Sequence, residues 1–170
     1  MAETRIEHVI SCGEDNFWKV FFDPEFNKKL FLDVLGFEAW KLVRLDEHDD
    51  RIERVVEAVP KMQDLPGPLK KLVENGAGYR ETANFIRAKK QMTVTVVPSV
   101  LEGKLTISGL MRTEPAGDGQ CRRIYDQSVV AKVFGIGGII ENRIIGDVKA
   151  SYDKAAAFTN QWVKEKGIVG

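Results

Sequence analysis

The sequence IIENRIIGDVKASYDKAAAFTNQWVKEK, at residues 139–166, decides the fold of this chain because it predicts one long amphipathic helix. With about 3.6 residues per turn, seven positions share one narrow face: Ile140, Ile144, Val148, Ser151, Ala155, Phe158 and Trp162. The run contains no proline, and Gly167 follows it, where a C-terminal cap belongs. A helix of about 40 Å that follows a series of strands has to cover a concave sheet.

The middle of this helix face is less bulky than its ends. Large residues stand at both ends, whereas Asp147, Ser151 and Ala155 in the middle are small or polar. We therefore expect room beside the middle of the helix, and this room is the candidate binding site. Asp147 and Ser151 lie one turn apart and could orient a polar group of a ligand. Alternatively, Asp147 pairs with an inward-facing Arg123 or Tyr125.

Strands and two short helices are predicted upstream of the long helix. Apolar and polar residues alternate between turn-forming segments, which predicts strands at residues 4–12, 37–45, 51–59, 79–88, 91–97, 104–113 and 122–133. Helices are predicted at residues 14–22 and 24–35, the second beginning at Pro24 with Asp23 as its N-cap. The strand connections that follow these helices are short enough for an antiparallel meander.

The composition limits the classes of function. Acidic and basic residues balance at 25 each, which removes the electrostatic case for a nucleic-acid binder. The start of the chain has no apolar signal region, and no apolar run is long enough for a membrane span. Two cysteines and two histidines without metal-ligand spacing predict neither a disulfide framework nor a metal site. A cytoplasmic location is the expectation.

The glycines before the long helix could suggest a dinucleotide-binding loop, because Gly135, Gly137 and Gly138 lie between a strand and a helix. The pattern fails at its sixth position, where Ile140 replaces Gly or Ala, and no second strand follows the helix. We interpret the glycines as a tight turn into the helix. No cofactor is predicted.

The segment PKMQDLPGPLKKLVENGAG, at residues 60–78, is the longest irregular connection. Connections of this kind in a compact domain are often lids or binding loops. Its apolar tip Leu65–Leu69, with Lys70 and Lys71 behind it, could make transient contact with a membrane surface. Two lysines supply little electrostatic attraction, so an ordinary ordered loop is the alternative.

Three features resemble the START-like, birch-allergen-like superfamily, also called SRPBCC. They are FFDPEF between the two short helices, the strand meander, and VFGIGGIIENRIIG at the opening of the last helix. The last phrase is similar to a bacterial branch of unknown function. The resemblance covers nearly the whole chain and implies one α+β helix-grip domain, residues 1–170. About seven antiparallel strands would grip the C-terminal helix, with two short helices after the first strand.

This resemblance also implies that the first strand pairs with the last, which brings Cys12 and Cys121 near each other. Two free thiols are the expectation for a cytosolic chain, and a disulfide is the alternative. A further implication is an internal cavity between sheet and helix that accepts apolar ligands such as lipids, sterols or polyketides.

The function we expect is binding or transport of a hydrophobic small molecule, a lipid, sterol or isoprenoid, without catalysis. The expected cavity wall comprises Phe21, Phe31, Phe85, Val94, Ile107, Ile144, Asp147, Val148, Ser151 and Ala155. One alternative is an enzyme, a polyketide cyclase or hydratase, which requires two or more polar side chains that converge in the cavity. Another is a protein-interaction module, which requires a filled core and an exposed apolar patch.

Overall fold

The computed structural model describes residues 1–170 and contains a seven-stranded antiparallel sheet. Its strands are β1 (Ala2–Ile10), β2 (Ala39–Glu47), β3 (Arg51–Val59), β4 (Tyr79–Ile86), β5 (Gln91–Pro98), β6 (Leu105–Pro115) and β7 (Cys121–Ala131). Their order across the sheet is β1-β7-β6-β5-β4-β3-β2. The first strand pairs antiparallel with the last, with Ile6 opposite Tyr125. The predicted helix-grip fold is confirmed.

Four helices accompany the sheet: α1 (Glu14–Phe22), α2 (Pro24–Lys28), α3 (Gly67–Lys70) and α4 (Gly137–Glu165). α2 continues as a π-helical turn over Lys29–Val34, and α3 continues as a 3₁₀ turn over Lys71–Val73. Asp23 caps the N-terminus of α2, because its side chain accepts a 2.8 Å hydrogen bond from the Glu25 backbone amide.

Most predicted element bounds agree with the structure to within two residues. α1 and β3 have the predicted ends, and α4 begins at Gly137 instead of residue 139. β1 ends at Ile10 and β7 begins at Cys121, so Ile10 lies opposite Cys121 and Cys12 follows the strand. The predicted proximity of the two cysteine-bearing segments therefore follows from the strand pairing. Both cysteines are free and buried.

Aromatic side chains of α1 and α2 fill one end of the concave sheet. The Trp18 ring stacks on Phe85 with 4.2 Å between centroids, and its indole nitrogen donates a 2.9 Å hydrogen bond to Thr113. Phe26 of α2 stacks on Phe158 of α4 at 5.3 Å. These two helices pack on the sheet as part of the core.

α4 crosses the concave face but is fastened to one side of it. It packs against β1 and β7. Polar contacts add to this attachment: His8 Nε2 lies 2.8 Å from an Asp153 carboxylate oxygen, and the Ser11 amide donates to the Asn160 side chain at 2.8 Å. Space therefore remains between α4 and the middle strands. No helix in the structure is both long and apolar enough to span a membrane.

Candidate functional site

The space between α4 and the sheet is a cavity of about 610 Å³. Small-molecule sites usually measure about 300–1,000 Å³, so the cavity is large enough for one ligand of that class. Thirty of its 45 lining residues are hydrophobic. The wall is formed by α1, α2 with its π-helical turn, the inner faces of β3–β7, segment 60–78 and α4.

Segment 60–78 covers the cavity near the start of α4. Arg143 of α4 donates hydrogen bonds to the backbone carbonyls of Gln63 (2.7 Å) and Asp64 (3.0 Å). The same guanidinium forms a 2.8 Å ion pair with Asp147, one turn further along the helix. Leu69 is buried, and Leu65 joins it in the cavity wall. The two leucines of the tip thus face the protein interior, whereas Pro66 and Pro68 are exposed.

A buried ion pair lies in the wall opposite α4. Arg54 on β3 and Glu81 on β4 are 3.1 Å apart, with only 5% and 20% of their side-chain surfaces exposed. The Arg54 guanidinium also lies over the Phe21 ring, 4.8 Å from its centroid. The pair neutralises its own charge within a mainly hydrophobic wall.

All three tyrosines of the chain, Tyr79, Tyr125 and Tyr152, line this cavity. The Tyr125 and Tyr152 rings stack with centroids 4.7 Å apart and planes 8° apart. Burial raises the pKa of each tyrosine above its usual range, and the nearby Glu81 charge adds to this effect. The three hydroxyls therefore stay protonated and keep their ability to donate hydrogen bonds.

A glycine on the neighbouring strand makes room for the Tyr125 ring. A Cβ atom on Gly109 would clash with the ring and hydroxyl of Tyr125. Gly109 is thus the position that allows Tyr125 to lie flat on the sheet. The Gln127 amide nitrogen contacts the Tyr125 hydroxyl at 3.4 Å.

Arg123 lies nearer to α1 on the same face of β7 and is 4% exposed. Its Nη2 contacts His8 Nδ1 at 3.0 Å and donates to the Tyr152 carbonyl at 3.1 Å. Because a guanidinium only donates hydrogen bonds, His8 Nδ1 accepts, and the proton of a neutral His8 resides on Nε2, facing Asp153. Burial lowers the pKa of Arg123.

Three buried polar atoms of this wall have no hydrogen-bond partner. They are Nε of Arg54, Nε of Arg123 and Oε1 of Gln127. An unpaired buried polar group costs about 1–3 kcal/mol, so these three atoms lower the stability of the wall. No group of three or more His, Cys, Asp and Glu side chains is arranged to hold a metal ion.

Nine of the ten expected wall residues line the cavity: Phe21, Phe31, Val94, Ile107, Ile144, Asp147, Val148, Ser151 and Ala155. Phe85 does not, because it packs between Trp18 and Phe22 in the core. Asp147 pairs with Arg143 of its own helix and with neither Arg123 nor Tyr125. The role of all ten residues in ligand binding stays a prediction.

The sequence did not point to Arg54 or Gln127 as site residues, and it suggested Arg123 and Tyr125 only as partners of Asp147. A signal for them exists in the strand alternation. Arg54 occupies the same strand face as Ile52 and Val56, and Arg123, Tyr125 and Gln127 continue the face that begins at Cys121 and ends at Val129. A polar residue on the apolar face of a strand is a candidate for an internal site.

Comparisons with known proteins agree with this architecture. A family model described as "Protein of unknown function (DUF2505)" matches residues 5–163. No curated protein sequence matches the chain. Among solved structures, the TTHA0849 protein of Thermus thermophilus is 13% identical, with a TM-score of 0.68 over 97% of this chain and 99% of that one.

Two further similar structures are enzymes by name. The Zhui aromatase/cyclase from Streptomyces sp. R1128 is 10% identical, with a TM-score of 0.66 over 97% of this chain and 96% of that one. The norcoclaurine synthase from Thalictrum flavum is 15% identical, with a TM-score of 0.66 over 96% and 87% of the two chains. At such low identity these likenesses concern the fold alone.

Proposed function

Because the chain belongs to the DUF2505 family of proteins of unknown function and has the helix-grip fold, we propose that it binds and carries a hydrophobic small molecule. The ligand class is a lipid, sterol or isoprenoid, and the site is the cavity between the sheet and α4. The observation that carries this proposal is the cavity itself, about 610 Å³ with a mainly hydrophobic wall.

The middle of α4 supports this proposal. Asp147, Ser151 and Ala155 line the cavity, as does Val148 between them. Small side chains at these positions leave volume that leucine or phenylalanine would fill. A protein-interaction module would need this volume to be filled, so the cavity argues against that alternative. The membrane contact predicted for Leu65–Leu69 stays a prediction.

Native mass spectrometry of the purified protein, followed by organic extraction, tests the proposal. We expect a co-purified hydrophobic molecule, or thermal stabilisation by members of a lipid and sterol panel. A ligand at about 100 times its Kd adds about 2.7 kcal/mol to the free energy of unfolding. A protein that is empty and that no panel member stabilises would contradict the carrier function.

A matched pair of variants assigns any binding to the cavity. Ser151→Trp places a large side chain on the inner face of α4, whereas Ala157→Trp places the same side chain on an exposed position of that helix. We expect Ser151→Trp to abolish ligand stabilisation and Ala157→Trp to preserve it. Equal effects of the two substitutions would place binding elsewhere.

A second candidate function is an enzyme that cyclises or hydrates a polyketide-like substrate. The observation that favours it is the convergence of Glu81, Tyr79 and Tyr125 in one cavity. Glu81 would accept a proton, and tyrosine hydroxyls would donate hydrogen bonds to a carbonyl oxygen. Two of the similar structures are named as an aromatase/cyclase and a synthase.

Incubation of the protein with poly-β-keto model compounds separates the two candidates. An enzyme converts them, and Glu81→Gln would lower turnover by about 10²-fold or more while binding persists. A carrier releases every compound unchanged. Conversion that persists in Glu81→Gln would exclude Glu81 as the base.

A further inference from the structure

Arg123 is a buried cation without an acidic side chain in direct contact. Its hydrogen-bond partners are a histidine nitrogen and a backbone carbonyl, and its guanidinium lies 4.7 Å from the centroid of the Tyr152 ring. The nearest carboxylate in this network, that of Asp153, is reached only through His8. Arg54 differs, because Glu81 neutralises it directly at 3.1 Å.

A buried charge without a counter-ion is energetically unfavourable. Removal of one ion from water costs several kcal/mol even after relaxation, and hydrogen bonds to neutral groups recover only part of that cost. Arg123 is nevertheless 4% exposed, lines the cavity, and leaves its Nε atom without a partner. Arg123 therefore adds a positive charge without a counter-ion to the cavity wall, and an anionic group that enters the cavity would neutralise it.

The charge of the site limits which anion fits. One guanidinium neutralises one negative charge, whereas a phosphate monoester carries about 1.5–2 negative charges near neutral pH. A single carboxylate is therefore a better match than a phosphate monoester.

We propose that Arg123 binds the carboxylate of an amphipathic ligand whose apolar part lies in the cavity along α4. This inference rests on the proposed binding function and specifies its ligand class. Arg123 lies towards α1, away from the segment that Arg143 holds at the start of α4, so the carboxylate would lie at the α1 end of the cavity. A neutral sterol or isoprenoid leaves Arg123 without a counter-ion.

Pairs of ligands with nearly the same shape test the proposal on the wild-type protein. Dodecanoate and dodecanamide form one pair, and naphthoate and naphthamide form an aromatic pair. Each compound competes with the uncharged fluorophore N-phenylnaphthylamine, and its effect on thermal stability is measured in parallel. We expect at least one acid to bind about tenfold or more tightly than its amide, as a charge-assisted hydrogen bond predicts.

Two arginine substitutions identify the residue responsible. Arg123→Gln removes the buried cation, and Arg122→Gln makes the same change at the exposed neighbouring position of β7. We expect the preference for the acid to disappear in Arg123→Gln and to persist in Arg122→Gln. A preference that survives in a folded Arg123→Gln would overturn the assignment.

The titration of a bound acid gives a result even if Arg123→Gln fails to fold. Dodecanoic or naphthoic acid labelled with carbon-13 at the carboxyl group is titrated by NMR in the wild-type complex. A carboxylate beside Arg123 would have a pKa well below that of the free acid, whereas a carboxylate in solvent would titrate normally. Normal titration would overturn the proposal.

The outcomes also separate this inference from the proposed function. Equal binding of acids and amides would overturn the carboxylate preference and leave hydrophobic ligand binding intact. If no compound displaces the fluorophore, and neither the panel nor the ligand pairs stabilise the protein, both proposals are wrong.

Discussion

Arg54 and Glu81 form an ion pair of 3.1 Å inside the cavity, on the neighbouring strands β3 and β4. The same two strands carry a second pair of the same length, Arg80 with Glu57, on their outer face. The inner side chains are 5% and 20% exposed, whereas the outer ones are 54% and 49% exposed. The two pairs therefore have the same chemistry and spacing but different solvation.

Because the two ion pairs differ in solvent exposure, replacing the arginine of each pair should lower the free energy of unfolding by different amounts. Arg54→Met leaves the Glu81 carboxylate in the cavity wall without its partner, and we expect a loss of about 3–5 kcal/mol in the free energy of unfolding. Arg80→Met breaks the exposed pair and should cost at most about 1 kcal/mol. Urea unfolding measures both, and similar losses for the two variants would show that the inner pair is solvated.

The contact between Gly109 and Tyr125 predicts an overpacked variant. Gly109→Ala adds a Cβ atom where the Tyr125 ring lies, and we expect a loss of about 1–3 kcal/mol in stability. Gly146→Ala is the control, since Gly146 lies within α4 and no atom would crowd its added Cβ. This control should gain up to about 1 kcal/mol from helix propensity. Thermal unfolding of both variants checks the prediction, which fails if Gly109→Ala is as stable as the wild type.

The three tyrosines predict a pH dependence at the alkaline end. Each has a raised pKa in the folded protein. The stability from keeping them neutral is fully present below the unfolded pKa of about 10 and is lost as the pH rises above it. The absorbance of tyrosinate should stay low in the folded protein at a pH where the chain in urea is half ionised.

A substitution tests this assignment. In Tyr125→Phe the free energy of unfolding should fall less steeply above about pH 10 than in the wild type. The slope should differ by up to about 1.4 kcal/mol per pH unit. Because all three tyrosines line the cavity, a bound ligand should change the same absorbance signal. Ionisation of tyrosines in the folded protein near pH 10 would show that water reaches them freely.

The two cysteines should be inert in the folded protein. Both are buried, and burial raises the pKa of Cys12 and raises that of Cys121 to about 12. The reactive thiolate is therefore scarce at neutral pH. We expect two free thiols under denaturing, non-reducing conditions and almost no alkylation of the native protein. Fewer than two free thiols would indicate a disulfide, and rapid alkylation would indicate an open segment after β1.

The sequence by itself determined the order of the elements and the role of α4. The spacing of Ile140, Ile144, Val148 and Trp162 specifies a helix with one inward face, because a period near 3.6 residues is a local property of the chain. The ends of α1 were predictable for a similar reason, since Gly13 and Asp23 interrupt the pattern on either side.

Only the tertiary structure decided which inward-facing side chains line the cavity and which pack in the hydrophobic core. Phe85 and Glu81 both lie on the inner face of β4. Phe85 nevertheless packs on Trp18, whereas Glu81 lines the cavity beside Arg54. The alternation of apolar and polar residues shows which face of a strand points inward. It does not show whether that face borders packed side chains or a cavity. Arg123 needs partners from β1 and α4, which lie far from it in the sequence on either side. Such contacts depend on strand register and on the position of the helix, which no local pattern encodes.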